Sequence, residues 1–185
     1  MKFFLPLLMI VFSASLAIGQ DDDYTAGHKG WLVDLDEAYE QSKETGKPIL
    51  ANFTGSDWCG WCKKMDASTF KNQAVIKYIQ SNYWAVKLNA ERKDTVILGQ
   101  QMFVNENTDQ RRGAHQLAIA LLNGKMTYPT MVYLDEKVEL MHPPIAGYQD
   151  AKSLEEIIHY FGDGFYQSTP WDKYLKEFKS AIGQQ

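Results

Sequence analysis

The only two cysteines of this 185-residue chain are Cys59 and Cys62, separated by Gly60 and Trp61. Because no third cysteine exists, the two either form a disulfide with each other or share a ligand. A disulfide between them would close a very short loop, which constrains the unfolded chain only weakly. The pair is therefore better suited to a reversible redox switch or a metal clip than to a structural crosslink.

A metal clip would need additional ligands, and histidines would have to supply them. The four histidines, at 28, 115, 142 and 159, are scattered, and none stands at a zinc-like spacing from Cys62. We therefore expect no metal site, and no cofactor other than the cysteine pair itself. Copper delivery is the remaining alternative that involves a metal.

The residues around the pair predict how the two sulfurs divide the chemistry. A buried strand over 48–54 and a turn over 55–57 precede a helix that runs from Cys59 to about residue 67. The unsatisfied N–H groups and positive dipole end of a helix N-terminus lower the pKa of a cysteine placed there. Cys59 is therefore predicted to attack a substrate disulfide, and Cys62, one turn further on, to resolve the mixed disulfide.

The rest of the chain predicts one mixed α/β domain. A helix between the first two strands indicates that they are parallel, and a turn at 135–137 indicates an antiparallel pair. The polar stretch 89–112 is predicted to be an exposed insertion, with a short strand or helix near 96–104. The other predicted helices are 34–45, 71–80, 114–122, 153–161 (capped by Ser153) and 170–181, and the other strands are 83–88, 131–134 and 138–141.

With these elements in place, the chain resembles the thioredoxin superfamily, and most of all exported bacterial thioredoxin-like proteins. The matching motifs are Trp-Cys-Gly-Trp-Cys-Lys at 58–63, Lys-Leu-Asn at 87–89, Tyr-Pro-Thr at 128–130, and Gly147. The resemblance covers about residues 32–162. It implies a thioredoxin-like α/β fold over 31–185, with a central mixed sheet flanked by helices. An insertion at about 90–125 precedes the cis-proline strand, and the helix at 170–181 is extra.

The resemblance also implies a substrate-binding surface around the cysteine pair. Pro129 is expected to be cis and to pack against the pair, so that the backbone of Tyr128 faces a substrate peptide. Trp58 and Trp61 are expected to form an apolar rim for that peptide, and simple packing is the alternative for both.

The chain departs from thioredoxin where a proton acceptor is expected. Thioredoxin has a buried aspartate before the motif, and the best match here is Asn52, which cannot act as a base. Asp66 lies four residues after Cys62 and therefore returns to the same side of the helix. The resemblance to transmembrane disulfide reductases suggests that Asp66, assisted by Lys87, supports proton transfer. The alternatives are a solvated helix residue at 66 and an exposed strand lysine at 87.

Composition and the N-terminus bear on location and partners. The chain is 45% hydrophobic with a net charge of −4, which does not suggest a nucleic-acid surface. Residues 1–19 have the pattern of a cleaved signal peptide, with Lys2, an apolar core and a small-residue site ending at Gly19. Residues 20–30 would form a flexible leader, and the protein would be periplasmic or secreted. An uncleaved membrane anchor is the alternative.

These observations predict an exported thiol–disulfide oxidoreductase that reduces protein or peptide disulfides. Strong oxidants of the family carry a histidine between the cysteines, and Gly60-Trp61 contains none, which favours a reductant. A membrane-bound or exported electron donor would keep it reduced. The alternatives are a disulfide oxidase or isomerase, and a non-enzymatic module that uses the fold to bind a partner.

Overall fold

A computed structural model describes residues 30–183. The predicted signal peptide (1–19) and residues 20–29 of the predicted leader lie outside the described residues. No helix within 30–183 combines the length and apolar character needed to cross a bilayer. The helices are α1 (Leu35–Thr45), α2 (Gly60–Ala67), α3 (Gln73–Asn82), α4 (Gln116–Leu121), α5 (Ala151–Gly162) and α6 (Trp171–Glu177). The strands are β1 (Ile49–Thr54), β2 (Trp84–Asn89), β3 (Val96–Leu98), β4 (Gln101–Phe103), β5 (Thr130–Leu134) and β6 (Ile145–Ala146).

The main sheet has four strands in the order β2-β1-β5-β6. β1 runs parallel to β2 and antiparallel to β5, and β6 is antiparallel to β5. All six residues of β1 are buried, as expected for a central strand covered on both faces. The predicted mixed sheet flanked by helices is confirmed.

Alternate residues of β1 enter two separate hydrophobic cores, one on each face of the sheet. Ile49 and Phe53 belong to the core that also contains Leu35 of α1 and Leu117 of α4. Leu50 belongs to the other core, whose remaining members include residues of α2, α3 and α5. The sheet therefore has helices on both faces, and α2 carries the second cysteine over the face of Leu50.

Side-chain caps define where several helices begin. The Asp34 carboxylate accepts the N–H of Asp36 at the start of α1, and Gly46 ends that helix in the left-handed region. Ser153 was predicted to cap α5, and this was wrong. The Asp150 carboxylate is the cap, and it accepts the backbone N–H of Ser153.

The predicted strand at 138–141 was also wrong. That segment makes a single isolated bridge, between Leu134 and Leu140, and the strand that follows β5 in the chain and pairs with it is β6. Pro143 and Pro144 lie between the two segments. Because proline has no N–H to donate, regular pairing cannot run continuously from 138 to 146.

The insertion is less exposed than the sequence predicted. β3 and β4 form a separate two-stranded sheet, and Val96 and Phe103 are buried in the core that covers α1. The buried Asn105 amide donates to the carbonyl oxygens of Arg92 and Gly113. The insertion is therefore a folded subdomain that packs on the sheet without extending it.

The C-terminal helix α6 ends earlier than the predicted residue 181. Its buried Tyr174 donates to the backbone oxygen of Glu156 on α5. Beyond the helix, the buried Glu155 carboxylate accepts the Ala181 N–H at 2.9 Å and the Ser180 hydroxyl. These bonds fix a non-helical segment where the hydrophobic pattern predicted continued helix.

Candidate active site

Cys59 and Cys62 form a disulfide at the start of α2. Cys59 is the N-cap residue, and its Sγ accepts the Cys62 N–H at 3.3 Å. Cys59 is 3% exposed and Cys62 is 1% exposed, so exposure hardly separates the two sulfurs. Their difference lies in position on the helix, because the free N–H groups of the first turn point towards Cys59.

A cis peptide bond joins Tyr128 to Pro129, as the resemblance predicted. Pro129 is buried, and its carbonyl oxygen accepts the N–H of Gly147 at 2.7 Å. Gly147 has φ 98°, which a residue with a side chain rarely adopts. β5 follows at Thr130, which pairs with Phe53 near the end of β1. The cis-proline and the cysteine pair therefore meet at the same edge of the sheet.

Trp58, the residue before the disulfide, is fixed by contacts on several sides. A side chain at Gly55 would lie 2.7 Å from Cζ2 of Trp58, so the ring lies directly against this glycine. The indole Nε1 donates to the Glu91 carboxylate, with both oxygens at 3.1 Å. The Arg112 guanidinium lies 3.6 Å from the ring centroid, and the Tyr128 ring meets Trp58 edge-on at 6.1 Å. Trp58 is thus packed and, at the same time, surface-exposed.

Trp61 forms a second aromatic group on α2. It is 58% exposed, and its ring centroid lies 5.6 Å from that of Tyr148, which comes two residues after β6. Lys64 Nζ lies 4.9 Å from the Trp61 ring and 4.8 Å from the Tyr148 ring. Each tryptophan of the motif therefore has a second aromatic ring and a cation against it.

Lys87 is buried, so the interpretation of an exposed strand lysine is wrong. Its Nζ donates to Asp66 Oδ2 at 2.6 Å, and the side chains are 1% and 20% exposed. Burial lowers the pKa of Lys87, and the Asp66 carboxylate opposes that shift. The two residues named for proton transfer are thus in contact, one helical turn beyond Cys62.

Asn52 lies on the same face of the sheet as this ion pair. It is the register partner of Lys87 on β2 and of Met131 on β5, and it is 1% exposed. Within residues 30–183, its Oδ1 has no hydrogen-bond partner. The position of the expected buried acid is therefore filled by an amide with an unsatisfied acceptor.

Sequence reasoning did not identify Glu91, Arg112, Lys64 or Tyr148. Glu91 lies two residues beyond β2, at the edge where parallel strands end together, and this signal was available. Arg112 is brought to Trp58 only by the folded insertion. Among the described residues, no group of three or more His, Cys, Asp or Glu side chains is arranged to hold a metal ion.

A helix-capping disulfide and a cis-proline at the edge of a four-stranded mixed sheet define a thioredoxin-fold protein. The thioredoxin-like domain family matches residues 35–162, and the chain belongs to that family. The likeness extends to a solved thioredoxin-fold protein from Helicobacter pylori, at 16% identity and a TM-score of 0.53. That match covers 84% of this chain and 88% of the other, and it shows the fold alone.

Two curated relatives come from Chlamydia pneumoniae. The chain is 54% identical to the disulfide bond reductase DsbH over 45 residues, which are 22% of this chain and 27% of DsbH. It is 36% identical to the thioredoxin-related protein DsbJ over 58 residues, 31% of this chain and 17% of DsbJ. The chain thus matches less than a third of the length of either relative.

Proposed function

We propose that the protein is an exported thiol–disulfide oxidoreductase that reduces protein disulfides through Cys59. The observation that carries this proposal is the Cys59–Cys62 disulfide at the N-terminus of α2, at the same sheet edge as the cis-proline. The name of DsbH, a disulfide bond reductase, supports the reducing direction. The signal pattern of residues 1–19 supports export.

In the reduced protein, the Cys59 thiolate attacks one sulfur of a substrate disulfide. A mixed disulfide forms, and the other substrate sulfur leaves as a thiolate that takes up a proton. Cys62 then loses its proton and attacks Cys59 Sγ, which releases the second substrate thiol. Two electrons have passed from the cysteine pair to the substrate; Cys62 supplies one of the two protons and solvent, which holds the Cys59 proton, supplies the other, and an external thiol donor restores the reduced pair.

The Cys62 N–H, already directed at Cys59 Sγ, would donate to the thiolate and stabilise it. The Asp66–Lys87 pair lies one turn from Cys62 and is the nearest charged pair along α2. We assign it the role of assisting removal of the Cys62 proton. Trp58, Trp61, Tyr128 and Pro129 form the surface on which the substrate chain would lie.

Reduction of insulin disulfides by dithiothreitol, followed by turbidity, tests this proposal. The wild-type protein is expected to accelerate the reaction, and Cys59→Ser is expected to abolish the acceleration. Equal activity of wild type and Cys59→Ser, or no activity of wild type, would rule the proposal out.

A further inference from the structure

Arg112 and Lys64 are basic side chains that lie against the two tryptophans of the Trp-Cys-Gly-Trp-Cys motif. Arg112 lies on Trp58, and Lys64 lies between Trp61 and Tyr148. Within residues 30–183, neither forms a salt bridge with a carboxylate, whereas Arg92 pairs with Asp94. The two cations therefore lie against the rings of the motif without an ion-pair partner among the described residues.

Arg112 combines an uncommon backbone conformation with its contact to Trp58. Its φ is 63°, in the left-handed region that residues other than glycine rarely occupy. Such conformations persist where the surrounding structure determines them, and they cluster at functional sites. Stacking occupies the flat face of the guanidinium and leaves its edge, which carries the N–H donors, for a planar acceptor.

Trp58 is in turn held by Glu91, so the two charged residues have different tasks. The Glu91 carboxylate accepts the Trp58 indole N–H and, at 2.6 Å, the Ser56 hydroxyl. These hydrogen bonds commit Glu91 to holding the ring. Arg112 is exposed on the same ring, beside the surface on which the substrate chain would lie.

The segments 55–64, 91 and 111–112 carry a net positive charge, although the whole chain carries a net charge of −4. Asp66, just beyond the first of these segments, is paired with Lys87. The charged residues of the segments 55–64, 91 and 111–112 are the basic Lys63, Lys64, Arg111 and Arg112 and the acidic Asp57 and Glu91. A carboxylate on a bound peptide would therefore meet more positive than negative charge here.

We propose that Arg112 and Lys64 select substrate segments that carry acidic residues next to the reactive cysteine. This inference rests on the proposed function and names the chemical class of its substrate. The Arg112 edge can bind a carboxylate in bidentate fashion, and the Lys64 ammonium supplies a second positive charge beside Trp61. The insertion would then contribute to substrate binding, since it carries Arg112, one of the two cations.

The test uses the reduced full chain in single turnover against three disulfide-bonded peptides of equal length. Their cysteines are flanked by Glu, Gln or Lys, and each rate constant is divided by the rate constant for dithiothreitol with the same peptide. This division removes the effect of the flanking charge on the intrinsic reactivity of the disulfide. We expect the Glu peptide to react about 3- to 10-fold faster than the Gln peptide, and the Lys peptide to react slowest.

Variants then test which side chains cause the preference for the Glu peptide. Arg112→Gln and Lys64→Gln are each expected to lower the Glu-to-Gln ratio by about 2- to 3-fold, and high salt should lower it too. The matched control is Lys47→Gln, because Lys47 also lies over a ring, that of Trp84, but precedes β1 at the far end of the strand. This control should leave the ratio unchanged.

The outcomes separate the two proposals. If the protein reduces the Gln peptide faster than dithiothreitol does but shows no preference for Glu, the acidic-substrate inference fails and the proposed function stands. If no peptide reacts faster than with dithiothreitol, both fail. A Glu preference that survives in the Arg112→Gln/Lys64→Gln double variant would also overturn the inference.

Discussion

Replacing Asp66 with Asn is expected to destabilise the folded protein much more than replacing Lys87 with Met. The two residues form one ion pair at 2.6 Å, but their side chains are 20% and 1% exposed. Asp66→Asn leaves an ammonium group in a buried site without its carboxylate. Lys87→Met removes the buried charge, and the Asp66 carboxylate that remains can be hydrated.

The size of the effect follows from the cost of deprotonating a lysine. If Lys87 responds to the loss of Asp66 by releasing its proton, the cost at pH 7 cannot exceed roughly 4–5 kcal/mol, and at pH 9 roughly 2 kcal/mol. We therefore expect Asp66→Asn to cost about 2–4 kcal/mol at pH 7. Lys87→Met, and the double variant, should each cost less than about 1.5 kcal/mol.

The sign of the pH dependence is fixed by the direction of the pKa shift. Burial lowers the pKa of Lys87, so the unfolded chain binds more protons than the folded one between the lowered value and the ordinary lysine value of 10.5. Stability contributed by this group therefore rises with pH across that window. Without Asp66 the pKa falls further, so the deficit of Asp66→Asn should shrink as the pH rises.

Urea unfolding of the oxidised proteins at pH 7 and pH 9, followed by tryptophan fluorescence, measures these differences. Glu44→Gln, at an exposed position of α1, is the control for neutralising a carboxylate. Its free energy of unfolding should be within about 0.5 kcal/mol of the wild-type value. The reasoning is refuted if Asp66→Asn is no more destabilising than this control at pH 7. The reasoning is also refuted if the stability that Asp66→Asn loses relative to wild type is larger at pH 9 than at pH 7.

Three further predictions concern other parts of the site and its support. Cys62→Ser should accumulate a mixed disulfide with substrate on mass spectrometry and Cys59→Ser should not, and equal or greater trapping by Cys59→Ser would contradict the assigned roles. Burial lowers the pKa of His115, whose Nδ1 caps α4 by accepting the Leu117 N–H. Stability should therefore fall as the pH drops below about 6.5, where the unfolded chain takes up the proton first. Urea unfolding at pH 7.5 and 5.5 measures this decrease in the free energy of unfolding. The decrease should be smaller in His115→Gln than in wild type, and an equal decrease would contradict the prediction. Asn52→Leu should lower the free energy of unfolding by less than about 1 kcal/mol or raise it, because the substitution removes an unsatisfied buried acceptor. A loss of more than about 2 kcal/mol in thermal unfolding would contradict this prediction.

The sequence was sufficient to predict the elements that carry the cysteine pair. The largely apolar segment 49–54 and the glycine-containing turn after it identify β1 and the start of α2 with little help from the rest of the chain. The cis bond at Pro129 was predicted from the family resemblance, and nothing in its own dipeptide indicates it. The signal-peptide boundary and the roles of the site residues stay predictions.

The missed features depend on contacts between distant segments. Lys87 looks like an exposed strand residue until α2 places Asp66 over it. Arg112 lies in a polar stretch, and its relation to Trp58 exists only after the insertion has folded around Asn105. The predicted strand at 138–141 rested on the turn at Asp135. Pro143 and Pro144, which have no N–H group, separate that segment from β6, the strand that pairs with β5.

The reduction potential of the Cys59–Cys62 disulfide tests the central claim most directly. It can be measured by equilibrating the protein with dithiothreitol or glutathione redox buffers and following tryptophan fluorescence. A reductant should have a potential closer to that of thioredoxin, about −270 mV, than to that of DsbA, about −120 mV. A value near −120 mV would contradict the account and would assign the disulfide to an oxidase.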